Sequence, residues 1–211
     1  MQRYHDRRQA GGELARLLEH HRGSRPLVVG LAGGGVVVAS QVAAALEGSL
    51  DVVAAIPFGP PGDPDLSIGA ATADGGMVLE EDLASRLGLA PADLGAVIRA
   101  AAAEAKRRER ALRGGRARDA GGRTVVVVDD GVAGGIALRA ALGLMRRAGA
   151  RLVACAVPVG LPATVDLIAS EVDEVVCPLQ PLRFHTVGEW YEEFPAVGDE
   201  DVAALLAGYL R

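Results

Sequence analysis

Aromatic side chains are scarce in this 211-residue chain, which carries one Trp, three Tyr and three Phe. So few rings exclude an aromatic-rich platform on which nucleic-acid bases stack. Lysine is scarcer still: Lys106 is the only one among 22 basic residues. Any phosphate site must therefore rely on Arg, backbone N–H groups or a metal ion. The net charge of −5 gives no electrostatic reason for DNA or RNA as a partner. Only two cysteines occur, Cys155 and Cys177, each in a Val-rich run, which reads as two reduced core residues and not a disulfide framework. The N-terminus M-Q-R-Y-H-D-R-R lacks an apolar h-region, so the expectation is a cytoplasmic protein without a signal peptide.

Long uninterrupted hydrophobic runs are also missing. Residues 27–46 carry no charge over twenty positions, long enough to cross a bilayer. Gly33-Gly34-Gly35 interrupts them, with a β-branched run before and Ala-rich sequence after. Strand, glycine loop, helix is the better reading, and no membrane span is expected.

What is abundant is Val, Ala and Gly, in a chain that is 50% hydrophobic. Strand patterns fall at 27–31, 52–56, 77–79, 124–128, 151–157 and 174–177. Helical patterns fall at 8–20, 36–47, 91–112, 135–148, 163–170 and 200–210. Val-rich strands alternating with helices indicate an α/β protein, a doubly wound and mostly parallel sheet flanked by helices. The Pro- and Gly-rich stretch 57–75 interrupts the alternation and reads as a long ordered loop or small hood. The Arg-rich helix end at 104–118 reads first as a solvated face.

Ligands of such sheets sit outside the carboxyl ends of the strands, near the switch point. Two strand ends here carry glycine loops followed by helices: A-G-G-G at 32–35 and D-D-G-V-A-G-G at 129–135. Each offers free N–H groups to an anion, and two cradles suit a ligand with two separate phosphate groups. The first loop is not a dinucleotide fingerprint, because G-G-G-V-V-V lacks the last glycine and Asp51 begins its strand. No P-loop and no G-x-S-x-G elbow is present. His5, His20, His21 and His185 show neither H-E-x-x-H nor Cys/His spacing, so no zinc site is expected.

The second loop, V-V-V-V-D-D-G-V-A-G-G-I-A-L-R-A-A-L, resembles the phosphoribosyl-pyrophosphate (PRPP) motif of type I phosphoribosyltransferases. Further segments are similar to a group of bacterial phosphoribosyltransferase-like proteins in order and spacing. They are Y-H-D-R-R-Q-A-G-G-E-L-A, G-L-A-G-G-G-V-V-V-A, G-P-P-G-D-P-D-L-S-I-G, V-G-E-W-Y-E-E-F and A-V-G-D-E-D-V. The resemblance implies a single domain over 1–211. Its core covers about 25–56 and 120–180, its hood about 57–118 and its tail about 181–211.

The activity it implies is displacement of pyrophosphate from C1 of PRPP by a nitrogen nucleophile. The protein would bind PRPP or a nucleotide monophosphate with Mg²⁺ and form a homodimer. By position, Asp129 and Asp130 would hold the ribose hydroxyls and, through Mg-PRPP, the metal. Val132, Ala133, Gly134, Gly135, Ile136 and Ala137 would wrap the 5′-phosphate, and Ala32, Gly33, Gly34 and Gly35 the pyrophosphate.

This chain departs from the pattern in its cations and hydroxyls. Gly134-Gly135 stands for Thr-Gly, and Ala137 for the second hydroxyl. Ala32-Gly33 replaces Pro-Arg, and Ile56-Pro57 an Arg-Lys pair; Ala133 lacks the Asp of purine-salvage members. Arg113, Arg116 and His185 are candidate cation or acceptor contacts. Phe184, His185, Trp190 and Tyr191 of the tail are candidates to line an acceptor pocket, with packing on the core the preferred role for Trp190 and Tyr191. Two readings stay open: an active transferase of unknown acceptor, or a degenerate relative that binds a phosphorylated ligand without turnover.

Overall fold

The valine runs lie at the centre of a computed structural model that describes residues 3–209. The chain opens with α1 (Arg7–Leu17), a 3-10 turn (Glu19–Ser24) and β1 (Leu27–Leu31), and α2 (Gly34–Ala45) leads to β2 (Ser49–Val53). Then come β3 (Ala55–Phe58), β4 (Gly69–Thr72), β5 (Met77–Leu79), α3 (Glu81–Arg86) and α4 (Pro91–Leu112). The alternation resumes with β6 (Thr124–Val128), α5 (Ile136–Arg147), β7 (Leu152–Ala156), α6 (Pro162–Ala169) and β8 (Glu174–Val176). A 3-10 turn (Val187–Trp190) and α7 (Asp199–Gly208) close the described chain.

The main sheet has five parallel strands in the order β2-β1-β6-β7-β8. Both faces are covered. Val126 and Val128 pack with Leu14, Leu18, Val42 and Leu206, whereas Val125 and Val127 pack with Leu138, Leu142, Met145 and Ile168. Side chains alternate between faces along a strand, so burial of both faces explains why β6 reads as unbroken Val. Chain order reverses between β1 and β6. That is the switch point, and both glycine loops leave from it.

The run expected as one strand at 52–56 divides between two sheets. β2 ends at Val53 and β3 begins at Ala55, in a second, antiparallel sheet ordered β3-β4-β5. The break is held at Ala54, whose N–H donates to Glu109 Oε1 at 3.1 Å. Hydropathy cannot show that halves of one apolar run pair with different neighbours. The stretch 57–75 supplies part of β3 and all of β4, and its Phe58, Ile68 and Ala71 pack with Leu94 and Ala101 of α4. The short helix α3 was not foreseen.

Asp51 lies in the middle of β2, opposite Val29, and does not begin the strand. It is buried because two arginines meet it. Arg113 donates to Oδ1 and Oδ2 at 2.7 and 3.0 Å, and Arg118 to Oδ2 at 3.2 Å. Arg118 also reaches Glu109 Oε2 at 3.1 Å and the Val52 carbonyl at 2.7 Å. Burial pushes the Glu109 carboxyl up, against the pull of Arg118. The network ties the end of α4 to the edge strand.

Cys155 is buried and Cys177 half-buried, both free, and burial pushes the Cys177 thiol up to about 12. Among the described residues no helix is long and apolar enough to cross a membrane.

Removing Asp51 leaves the enclosed Arg113 guanidinium without its carboxylate and Arg118 with Glu109 and the Val52 carbonyl alone. Asp51→Ala is expected to lower unfolding stability by about 3–5 kcal/mol. The exposed Asp119→Ala should stay within about 0.5 kcal/mol of the parent. Denaturant titration of both variants measures the difference.

Candidate functional site

Strand β6 delivers Asp129 and Asp130 to its carboxyl end. The Asp129 N–H is anchored on the Ala156 carbonyl at 3.3 Å, and its Oδ1 accepts from the Asp130 N–H at 2.9 Å. Two carboxyl groups so close in sequence and space cannot both ionise freely. Burial first, and then the charge of Asp130, push the Asp129 carboxyl well above the usual carboxylate range.

Asp130 is steadied by Arg7, whose Nε donates to Oδ2 at 2.8 Å. Arg7 is itself held on two further sides. Its Nη1 donates to the Pro195 carbonyl at 2.7 Å, and its guanidinium lies 3.7 Å from the centroid of the Phe194 ring. Arg7 occupies the first turn of α1, where the helix dipole disfavours a cation and only the capping Asp6 carboxylate stands against it. The pairing with Asp130 compensates that placement. Tyr191 completes the support by donating its hydroxyl to the Asp130 carbonyl. The Tyr191 strand segment bridges to Tyr4, and the two rings lie 5.6 Å apart.

The N-terminus of α2 points into this pair. Gly34 has no room for a side chain, since an added Cβ meets Asp130 Oδ2 at 1.9 Å and Arg7 Nε at 2.5 Å. An added Cβ on Gly35 meets Asp129 Oδ1 at 2.8 Å. The glycines thus let a helix N-terminus reach the carboxylates, where its partial positive charge favours them. Gly33, with φ of 115°, takes a backbone conformation that a side chain strains, so an Arg there fits poorly. Ala32 is fastened by its N–H to the Val53 carbonyl at 2.9 Å.

The second loop turns on the other side of the acids. Val132 exchanges hydrogen bonds with Val159 and Leu161 at 2.9 and 3.0 Å, and Thr164 donates its hydroxyl to the Ala133 carbonyl. Ala133 and Gly134 are exposed, and no side chain caps α5, which starts after Gly135 with Ile136 and Ala137. The first N–H groups of a helix have no intrahelical acceptor, so this turn presents free donors to solvent. Two uncapped helix N-termini, of α2 and α5, therefore flank one acid pair.

The structure brings Asp129, Asp130, Gly34 and Gly35 together, with Ala32 and Gly33 at one border and 132–137 at the other. Three expected contacts lie elsewhere. Arg113 is engaged by Asp51, so it is not a free cation for the site. Arg116 is exposed and donates its Nε to the Arg113 carbonyl at 2.9 Å. His185 is 78% exposed, 3.6 Å from Glu189. Trp190 and Tyr191 are buried with Tyr4 and Val159, and Phe184 stacks on Trp190. The site cation that sequence reasoning missed is Arg7, in the quoted segment Y-H-D-R-R. Its one local signal is a basic pair placed directly after the helix cap Asp6.

The raised Asp129 carboxyl has a consequence for stability. The folded state keeps a proton that the unfolded chain releases above the ordinary value of about 3.9. This group's contribution to stability therefore falls as pH rises through the window between the ordinary and the raised value. Asn retains an oxygen for the Asp130 N–H and cannot ionise. The stability of Asp129→Asn relative to the parent is expected to increase from pH 4 to pH 8, read from Tm at each pH. A flat or falling difference contradicts the raised carboxyl.

Residues 2–189 match the model of a family described as a phosphoribosyl transferase domain. Two Mycobacterium tuberculosis proteins, each named "Putative phosphoribosyl transferase", are 40% identical over 207 residues, which is 98% of this chain and 47% of theirs. The chain thus spans about half the length of the curated relatives it matches. The crystal structure of TT1426 from Thermus thermophilus is similar with TM-score 0.82 and 40% identity, covering 98% of this chain and 99% of that one. A purine phosphoribosyltransferase from Pyrococcus horikoshii shares the fold, with TM-score 0.50, 17% identity and coverage of 90% and 91%.

Proposed function

This chain belongs to the phosphoribosyl transferase domain family, and from that premise we propose that it binds PRPP and transfers the phosphoribosyl group to a nitrogen acceptor. The observation that carries the reading is the acid pair set between two uncapped helix N-termini at the switch point. A ligand with a diol between two phosphate groups matches that order of donors and acceptors. The N–H groups of 132–137 take the 5′-phosphate, Asp129 and Asp130 take the ribose hydroxyls, and 32–35 takes the pyrophosphate.

In the transfer, the acceptor nitrogen forms a bond to C1 as the bond from C1 to the pyrophosphate oxygen breaks. The acceptor's N–H proton leaves to solvent, and the electron pair of the broken bond leaves on pyrophosphate. Positive charge grows on the sugar between those events, and the Asp130 carboxylate beside it is the group that favours it. Arg7 holds the Asp130 carboxyl in orientation through its Nε, so it acts as a positioning residue.

The donor set fits Mg²⁺ carried on ligand oxygens better than a cage made by the protein. Asp129 is pushed toward its neutral form and Asp130 is paired with Arg7, which leaves few free carboxylate oxygens. When bound with the ligand, Mg²⁺ supplies neutralisation of the pyrophosphate charge.

One observation favours a second reading, binding of a nucleotide monophosphate or similar ligand without turnover. The cation beside the acids, Arg7, is committed to Asp130, while Gly33, Gly134 and Ala137 contribute no side-chain donor to phosphate. Calorimetry with PRPP and Mg²⁺, and with nucleotide monophosphates, is expected to show binding that Asp129→Asn combined with Asp130→Asn removes; absence of binding by PRPP and by every monophosphate sinks both readings. Pyrophosphate release across a panel of acceptor bases separates them.

Gly134 has nothing within 4 Å of an added Cβ. A hydroxyl placed there adds a hydrogen bond to a charged group, about 1–3 kcal/mol. Gly134→Thr is therefore expected to fold normally and to tighten PRPP binding by roughly tenfold. Gly135, at φ 76° with Thr164 Cγ2 2.7 Å from an added Cβ, should not tolerate the same change. Paired thermal melts and titrations check both.

A further inference from the structure

We propose that His20, His21 and Glu174 form a second site, which binds a zinc ion. Their ligand atoms all lie within 4.8 Å of one another. His21 Nε2 is 2.7 Å from Glu174 Oε2, and His20 Nε2 is 3.1 Å from Oε1. A tetrahedral ion about 2.0–2.1 Å from each donor holds its donors roughly 3.3 Å apart. The three groups reach that spacing by modest side-chain shifts.

The frame around them is fixed. His21 has its side chain 9% exposed and sits in the 3-10 turn Glu19–Ser24. Its N–H donates to the Leu18 carbonyl at 2.9 Å, and its carbonyl accepts from the Ser24 hydroxyl at 2.7 Å. Glu174 is the first residue of β8, in register with Ala154. The His20 ring packs on the His21 ring with centroids 4.1 Å apart, so both imidazoles face one carboxylate.

Charge points the same way. Among the described residues Glu174 pairs with no Arg or Lys; its partners are the two imidazoles. With neutral imidazoles, a partly enclosed carboxylate is left uncompensated, and a dication compensates it. Two imidazoles and one carboxylate suit zinc, and are too nitrogen-rich for Mg²⁺ or Ca²⁺. In a neutral imidazole the proton on Nε2 moves through solvent to Nδ1, which frees the Nε2 lone pair for the metal. His20 is 56% exposed, so the fourth position opens to solvent, the pattern of a three-ligand site that keeps a water.

This site is separate from the acid pair. It lies where the chain enters β1 and β8, whereas Asp129 and Asp130 follow the carboxyl end of β6. His21 and Glu174 are 153 residues apart, which is why no short motif contains them. An ion here links the connection between α1 and β1 to the far edge strand of the sheet.

The test uses the full chain without a polyhistidine tag, stripped with a chelator, and titrated with Zn²⁺ by calorimetry and thermal melting. One zinc per chain and a raised Tm are expected, with no rise in Mg²⁺. Co²⁺ should give the visible absorption of a four-coordinate site. Outer-shell changes at metal sites already weaken binding by about 10–100-fold. His20→Gln and Glu174→Gln remove ligands directly and should weaken it by at least that much. His20→Gln replaces an exposed side chain, and circular dichroism verifies its fold. Absence of Zn²⁺ binding, or unchanged binding in both variants, overturns the proposal.

Discussion

The contact on which the site depends is the pairing of Arg7 with Asp130 across 123 residues of chain. It sets a cation from the first helical turn against a carboxylate that already faces another carboxyl. Burial and the neighbouring Asp130 charge push the Asp129 carboxyl up, and the Arg7 guanidinium offsets part of the negative charge that gathers there. Phe194 and Pro195 hold Arg7 in place, and Tyr191 holds the Asp130 backbone, so the tail is part of the site. N-terminal segment, switch-point loop and C-terminal tail thereby meet at one ion pair.

Helix α2 has to accommodate that pair. Its first two residues are glycine because backbone, not side chain, meets the carboxyl oxygens there. The same arrangement recurs at α5, where no side chain caps the helix and its N–H groups face outward. A protein built this way offers an anion main-chain donors. That agrees with a chain that holds a single lysine and commits many of its arginines to internal ion pairs. In the proposed binding of a phosphorylated ligand, glycine and alanine at 32–35 and 132–137 leave the attraction mainly to backbone dipoles.

A second enclosed charge network, around Asp51, keeps the hood in place. Arg113 and Arg118 leave the end of α4 and fold back onto β2, where β2 gives way to the second sheet. Read as sequence, the Arg-rich stretch 104–118 is first a solvated face, with Arg113 and Arg116 as candidate contacts for the site. In the folded chain Arg113 and Arg118 are structural, because a buried carboxylate binds two guanidinium groups more strongly than solvent does.

Much of the architecture was legible from residue order alone. The valine runs, the alternation with helices and the two glycine loops depend on local periodicity, and they implied the parallel sheet and its switch point. The long helix 91–112 was legible because Pro91 and Asp93 mark its start within the pattern. The pairing of Asp129 with Asp130 was legible because the two are neighbours in sequence. What surrounds them was decided only by tertiary structure. Arg7 at Asp130, Arg113 at Asp51 and His21 at Glu174 join residues 62 to 153 positions apart. Periodicity reports which face of an element is buried and carries no record of which distant side chain arrives opposite. For a charged group, that arrival determines whether it serves as a ligand, a support or a free cation.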